Sequence, residues 1–176
     1  ATGVILDIDE SHPWFNAARV GLGALGIVTE VTLQCVPAYL LHAAERPMSL
    51  PEVLENLDHF VDSNDHFEFY WFPHTEKALI KENNRMPAGT EPKPLPKWRY
   101  KLDDEFLSNT LYERVQRLAA RSPKLIPAIN NISGSLLGAR EYTDQSFEVF
   151  VSPRRVRFCE SEFALPRSAA REAIAD

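Results

Sequence analysis

Three glycines, Gly21, Gly23 and Gly26, lie between a helix-like run and a strand-like run, and they constrain the fold more than any other feature. Their spacing matches G-x-G-x-x-G. Glycines so spaced let the backbone turn tightly and approach a phosphate or a flat ring, because no Cβ intervenes. A nicotinamide-dinucleotide fingerprint needs a strand before the glycines and a helix after them, so that the helix N-terminus faces the pyrophosphate. Here the order is reversed. Trp14–Val20 has a helical pattern, and Ile27–Val36 is rich in β-branched residues and reads as a strand. Spacing alone therefore does not make a dinucleotide site. Two readings stay open: a turn whose backbone meets a ligand, and a turn that only lets a helix pack on a strand.

Upstream, Val4–Ile8 reads as a strand and Ser11-His-Pro13 as a turn. Val36-Pro37-Ala38 breaks the second strand, since proline cannot donate to a ladder. A domain boundary is expected at 37–39. Beyond it, Tyr39–Arg46 reads as a strand. Ser49 and Glu52 form an S-x-x-E capping box, and Val53, Leu54, Leu57, Phe60 and Val61 give the stripe of an amphipathic helix. His66–Phe72 reads as an aromatic strand buried on both faces, Pro73-His-Thr75 as a turn and Lys77–Asn83 as a neighbouring strand. The prolines at 87, 92, 94 and 96 mark a loop. A helix beginning near Asp103-Asp104 carries Leu107, Leu111, Val115 and Leu118. A second helix carries Leu125, Ile129, Ile132 and Leu136, with Gly138 as its cap. Strands are expected near 147–151 and 155–165, then a helix from Pro166. The pattern is α+β, with helices on one face of a mostly antiparallel sheet.

With 44% hydrophobic residues the chain can bury a sizeable core. A net charge of −6 disfavours non-specific nucleic-acid binding, which needs basic surface. No apolar run approaches the ~20 residues that span a bilayer. Asp7, Asp9 and Glu10 are the opposite of a signal peptide's basic flank. Cys35 and Cys159 read as buried free thiols of a reducing compartment. The chain opens in a strand already under way and closes in a helical pattern, so an internal segment of a longer protein is expected.

Few residues point to chemistry by themselves. His12, His42, His59, His66 and His74 lack metal spacing, so no metal site is expected. His74 reads as a turn residue. No G-x-S-x-G or Cys/His nucleophile pattern occurs. Glu160 and Glu162 fall on one face of the expected strand, where two carboxylates can do acid/base work or can simply pair with Arg155 and Arg157 on a solvated sheet face, the reading favoured here.

A longer match adds to this. Phe15-Asn-Ala-Ala-Arg-Val-Gly-Leu-Gly-Ala-Leu-Gly-Ile-Val-Thr-Glu-Val-Thr-Leu-Gln-Cys-Val-Pro37 resembles the closing segment of the FAD-binding domain of vanillyl-alcohol-oxidase-type flavoproteins, and more narrowly of the sugar-1,4-lactone oxidases. Phe67-Glu-Phe-Tyr-Trp-Phe-Pro-His-Thr75 and Ser152–Arg167 resemble the cap domain of the bacterial members. The resemblance implies that residues 1–38 end an FAD-binding domain and that 39–176 form most of the first part of a substrate or cap domain, truncated at its C-terminus. It implies FAD contacts at Gly26, Ile27, Val28 and Thr29. The implied reaction is hydride transfer from a sugar lactone, or a related polyol, to the flavin, which oxygen or another electron acceptor reoxidises. The implied setting is cytoplasmic, with membrane attachment left open.

The departures matter too. The family's pyrophosphate loop and often flavin-linked His, its Glu-x-Arg pair and its His-Trp-x-Lys-like motif are not in these residues. The resemblance therefore places no catalytic residue in this chain, and implies a segment that neither holds FAD stably nor turns over by itself. The alternative is a non-catalytic α+β binding or interaction module with a structural glycine turn.

Overall fold

The structure is a computed structural model that describes residues 3–101, 107, 109–151, 156–157 and 159–175. The chain divides into two compact units, Ala1–Pro37 and Ala38–Asp176.

The first unit contains one short helix, α1 (Phe15–Arg19), followed by the glycine turn. Residues 3–9 and 26–39 belong to no strand ladder, which corrects the two strands expected there. The reason is physical. β-branched residues suit a strand, but a strand exists only where another backbone takes its hydrogen bonds. Ile5, Ile27, Val31 and Leu33 accordingly stand exposed. Cys35 and Cys159 are free but exposed, not buried.

The second unit is α+β. Its centre is a four-stranded antiparallel sheet of β1 (Leu40–Ser49), β2 (His66–Trp71), β3 (Lys77–Arg85) and β4 (Arg140–Gln145), in the order β2-β3-β1-β4. β1 (Leu40–Ser49) leads into α2 (Leu50–Glu55), whose N-cap is Ser49, its Oγ accepting from the Glu52 N–H at 3.4 Å. The expected single helix breaks at Asn56, where the side chain donates back to the Glu52 carbonyl at 2.9 Å, and resumes as α3 (Leu57–Ser63). Side-chain bonds to a preceding carbonyl compete with the helix ladder in this way. β2 (His66–Trp71) and β3 (Lys77–Arg85) form a hairpin across a turn in which His74 takes φ 66°. β2 is an edge strand with Tyr70 and Trp71 well exposed, which corrects the expectation of burial on both faces.

Further along come α4 (Lys97–Tyr100), α5 (Tyr112–Arg121) and α6 (Ile126–Ser135). Asp103-Asp104 lie outside the described residues. Leu107, Leu111 and Leu118 of the expected stripe are each more than two-fifths exposed, and the buried residue of α5 is Ala119. β4 (Arg140–Gln145) was not expected from its sequence, Arg-Glu-Tyr-Thr-Asp-Gln, which has no apolar alternation. The strand expected at 147–151 is instead the helix α7 (Ser146–Phe150). Of the strand expected at 155–165, residues 156–157 and 159–165 are irregular, and Arg155 lies outside the described residues. A 3₁₀ turn at Arg167–Ala169 then enters α8 (Ala170–Ala175).

The two faces of the sheet differ. On one, Val53 and Phe60 pack on Ala78 and Ile80, with Met48, Phe67 and Phe69 around them. Phe60 stacks on Phe67 at 5.0 Å. Burying Val53 or Ile80 stabilises the fold by about 1.5–3 kcal/mol each. On the opposite face, Lys77 packs on α6 and His66 packs edge-on against Phe150 of α7. Helices therefore stand on both faces, not one, because successive strand residues point to opposite sides.

Candidate functional site

In the first unit the glycine stretch is a chain of tight turns. The Gly21 N–H donates to the Ala18 carbonyl, Ala24 to Gly21 and Gly26 to Gly23. Leu22 (φ 47°), Gly23 (φ 79°) and Gly26 (φ 133°) all take positive φ. At Gly26 an added Cβ would meet nothing within 4 Å, so the requirement for glycine there is the backbone angle, not space. Ile27 is 93% exposed and Val28 68%; Thr29 is exposed beside them. The stretch thus presents a backbone without a Cβ flanked by exposed apolar side chains.

In the second unit the register builds a different feature. Glu68 of β2 stands opposite Lys81 of β3, Lys81 opposite Glu45 of β1, and Glu45 opposite Arg140 of β4. The four form one rung across the whole sheet, with charges alternating in sign. Arg140 grips Glu45 through Nε–Oε2 at 2.8 Å and Nη2–Oε1 at 3.0 Å. Lys81 Nζ lies 3.9 Å from Glu45 Oε1 and 3.4 Å from Glu68 Oε1. Its ammonium also sits 5.1 Å from the centre of the Tyr70 ring. The Glu45 side chain is 5% exposed, Arg140 16%, Lys81 21% and Glu68 50%, so the row runs from closed to open towards the β2 edge.

At the end of β2 a cleft of about 370 Å³ opens between Tyr70, Trp71 and Pro73 on one side and Tyr112, Gln116 and Ile129 of the α5–α6 pair on the other. Two of its polar groups are committed to structure. Trp71 Nε1 donates to the Thr75 carbonyl at 2.7 Å, and Asn130 Nδ2 to the Pro73 carbonyl at 3.0 Å. Elsewhere, Arg167 and Arg171 tie the C-terminal turn and α8 to α3. Arg171 bonds Asp58 at 2.6 Å and Arg167 bonds Asp62 at 2.7 Å. The hydrogen bond from Arg171 holds the Asp58 carboxyl below its ordinary range, and that from Arg167 does the same to Asp62. Arg167 is raised in turn, chiefly by Asp62.

The sheet, the glycine turn and the charged rung belong to a chain whose residues 31–176 match the family model described as D-arabinono-1,4-lactone oxidase. The chain belongs to the D-arabinono-1,4-lactone oxidase family. It is 39% identical over 174 residues to the L-gulono-1,4-lactone dehydrogenase of Mycobacterium tuberculosis, a match covering 99% of this chain and 40% of that protein. It is 33% identical over 181 residues to the L-gulonolactone oxidase of Bos taurus, covering 99% and 39%. Over 124 residues it is 27% identical to the D-arabinono-1,4-lactone oxidase of Yarrowia lipolytica, covering 69% and 22%. The chain thus spans about 40% of the length of the first two relatives.

Within this family member, Gly26, Ile27, Val28 and Thr29 are contiguous and exposed in the first unit. Glu160 and Glu162 are exposed on irregular chain, and among the described residues no ion pair joins them to Arg157. Glu45, Glu68, Lys81 and Arg140 were not singled out from the sequence. A signal existed: Glu45 continues the i, i+2, i+4 series of Leu41 and Ala43, which places a charge on the buried face of the strand. Their convergence depends on register, which pairs residues as many as 95 positions apart. No helix among the described residues is long and apolar enough to cross a membrane.

Proposed function

We propose that this chain is part of an FAD-dependent oxidoreductase that oxidises a sugar 1,4-lactone or a related polyol. Family membership carries the reading, because the relatives are sugar-lactone oxidases and dehydrogenases by name. In this proposal residues 1–38 close the FAD-binding domain and 39–176 belong to the cap. Gly26 through Thr29 contact the flavin. The Gly26 backbone, with no Cβ, admits the ring edge, and the exposed Ile27 and Val28 side chains pack beside it. When bound, FAD supplies the hydride acceptor, and oxygen or a carrier takes the electrons onward. The protein's part is to orient cofactor and lactone and to exclude water between them.

The test is the flavin itself. The full-length polypeptide should purify yellow, with FAD released on denaturation. A colourless full-length protein that takes up no added FAD contradicts the proposal.

A further inference from the structure

The cleft at the end of β2 belongs wholly to the second unit, and its walls are held before anything enters it. The bond from Trp71 Nε1 to the Thr75 carbonyl, at 2.7 Å, pins the indole, yet 41% of the residue stays exposed. The polar edge of the ring is committed and its apolar surface is not. Asn130 Nδ2 bonds the Pro73 carbonyl at 3.0 Å and so ties α6 to the hairpin turn. Across the cleft, Tyr112, Gln116 and Ala119 fall at i, i+4 and i+7 on one face of α5. Ala119 is buried, while Tyr112 is 41% exposed. Among the described residues no hydrogen bond takes up the Gln116 amide or the Tyr112 hydroxyl. No residue lining the cleft carries a charge. Lys81 meets the Tyr70 ring, but it does not line the cleft and is paired with Glu68. Walls fixed in advance remove an ordering cost from binding.

We propose that this cleft binds a neutral saccharide ring. At about 370 Å³ it lies near the lower end of small-molecule sites, which run from about 300 to 1,000 Å³, so a single ring is the expected load. The lining sets the chemistry. An uncharged wall gives an ionic ligand no counter-charge to offset its desolvation. A saccharide ring has C–H faces, which suit the electron-rich faces of Trp71 and Tyr112. Its hydroxyls both donate and accept, which matches the Gln116 amide and the Tyr112 hydroxyl. A plain aromatic ring could stack equally well, but it would leave the Gln116 amide unpaired as water leaves the cleft, at a cost. Every contact lies within the second unit, so the occupant need not meet the flavin.

The experiment uses the full-length protein with methyl β-D-glucopyranoside as the probe, followed by saturation-transfer NMR, which reads weak binding. Saturation should reach the ring C–H protons, with a dissociation constant of about 1–10 mM, in keeping with one ring in an open cleft. Tyr112→Ala and Gln116→Ala should each weaken binding about tenfold, while melting temperature and circular dichroism stay at wild-type levels. Phenol should bind more weakly than the glucoside. No saturation transfer at about 50 mM probe overturns the assignment. Affinity unmoved in both variants overturns it too, because the sugar is then bound elsewhere. Phenol binding tighter than the glucoside gives the cleft to planar aromatic ligands and likewise overturns it. Should Tyr112→Ala lower the melting temperature, Gln116→Ala, at a half-buried position, decides alone. None of these outcomes depends on the redox state of the flavin, so the proposed oxidoreductase function stands or falls separately.

Discussion

Glu45 and Arg140 form a two-bond ion pair across β1 and β4, at 2.8 and 3.0 Å, with both side chains largely withdrawn from water. Removing one partner of such a pair leaves the other charge buried and uncompensated. Glu45→Ala should therefore destabilise the second unit by about 3–5 kcal/mol. The double change Glu45→Leu with Arg140→Met should recover most of that loss. Urea denaturation of the three proteins measures both effects. If the double variant is no more stable than the single, the pair itself holds the sheet together.

Gly134 of α6 packs against β3. A Cβ there would lie 2.8 Å from Lys77 Cδ and 2.9 Å from Lys77 Cβ. The first atom can swing away, but the second is fixed to the strand. Gly134→Ala gains about 1 kcal/mol of helix propensity and loses about 1–3 kcal/mol to overpacking. A net loss of about 1 kcal/mol is expected, read from the urea midpoint. Gly138→Ala, where nothing lies within 4 Å, is the control and should shift stability by less than about 0.5 kcal/mol.

The latch between α3 and α8 should respond to acid. Asp58 and Asp62 have folded-state pKa values below the ordinary 3.8 because Arg171 and Arg167 bond their ionised forms. A depressed carboxylate adds stability that is fully present above its unfolded value and vanishes as the pH falls through the folded one. The latch should thus be intact at neutral pH and fail below about pH 4. Hydrogen-exchange protection of the α8 amides, corrected for intrinsic rate, should be high at neutral pH and lost in acid. Asp58→Asn should lower it at neutral pH already. Protection indifferent to both changes means that α8 is held by its apolar contacts instead.

Local signals in the sequence located much of this fold. The Ser49 cap, the Leu57 and Phe60 stripe, the His66–Trp71 strand and the turn at His74 all follow from side-chain chemistry within a few residues. The errors arose where pairing is non-local. Ile27–Val36 has strand composition but no ladder, whereas Arg140–Gln145 has a ladder without strand composition. The latter is a strand because β1 supplies its partners and because Arg140 meets Glu45 there. The charged rung was illegible for the same reason: Glu45, Glu68, Lys81 and Arg140 become one feature only when four strands are in register.

Gly26 takes φ 133°, where a β-branched residue is strained whatever the space around it. In the full-length protein Gly26→Val should strip the flavin while leaving the second unit folded. The ratio of visible flavin absorbance to protein absorbance, with circular dichroism as the folding control, reads this out. Unchanged flavin content refutes the role assigned to the turn.

The central claim is that the full-length protein passes a hydride from a sugar lactone to a bound flavin. Anaerobic mixing of the full-length protein with L-gulono-1,4-lactone, followed by its visible absorbance, tests it most directly. The oxidised flavin band should bleach on adding lactone and return on admitting oxygen or an artificial acceptor. A bound flavin that stays oxidised with this lactone and with its 1,4-lactone stereoisomers and polyol analogues contradicts the account.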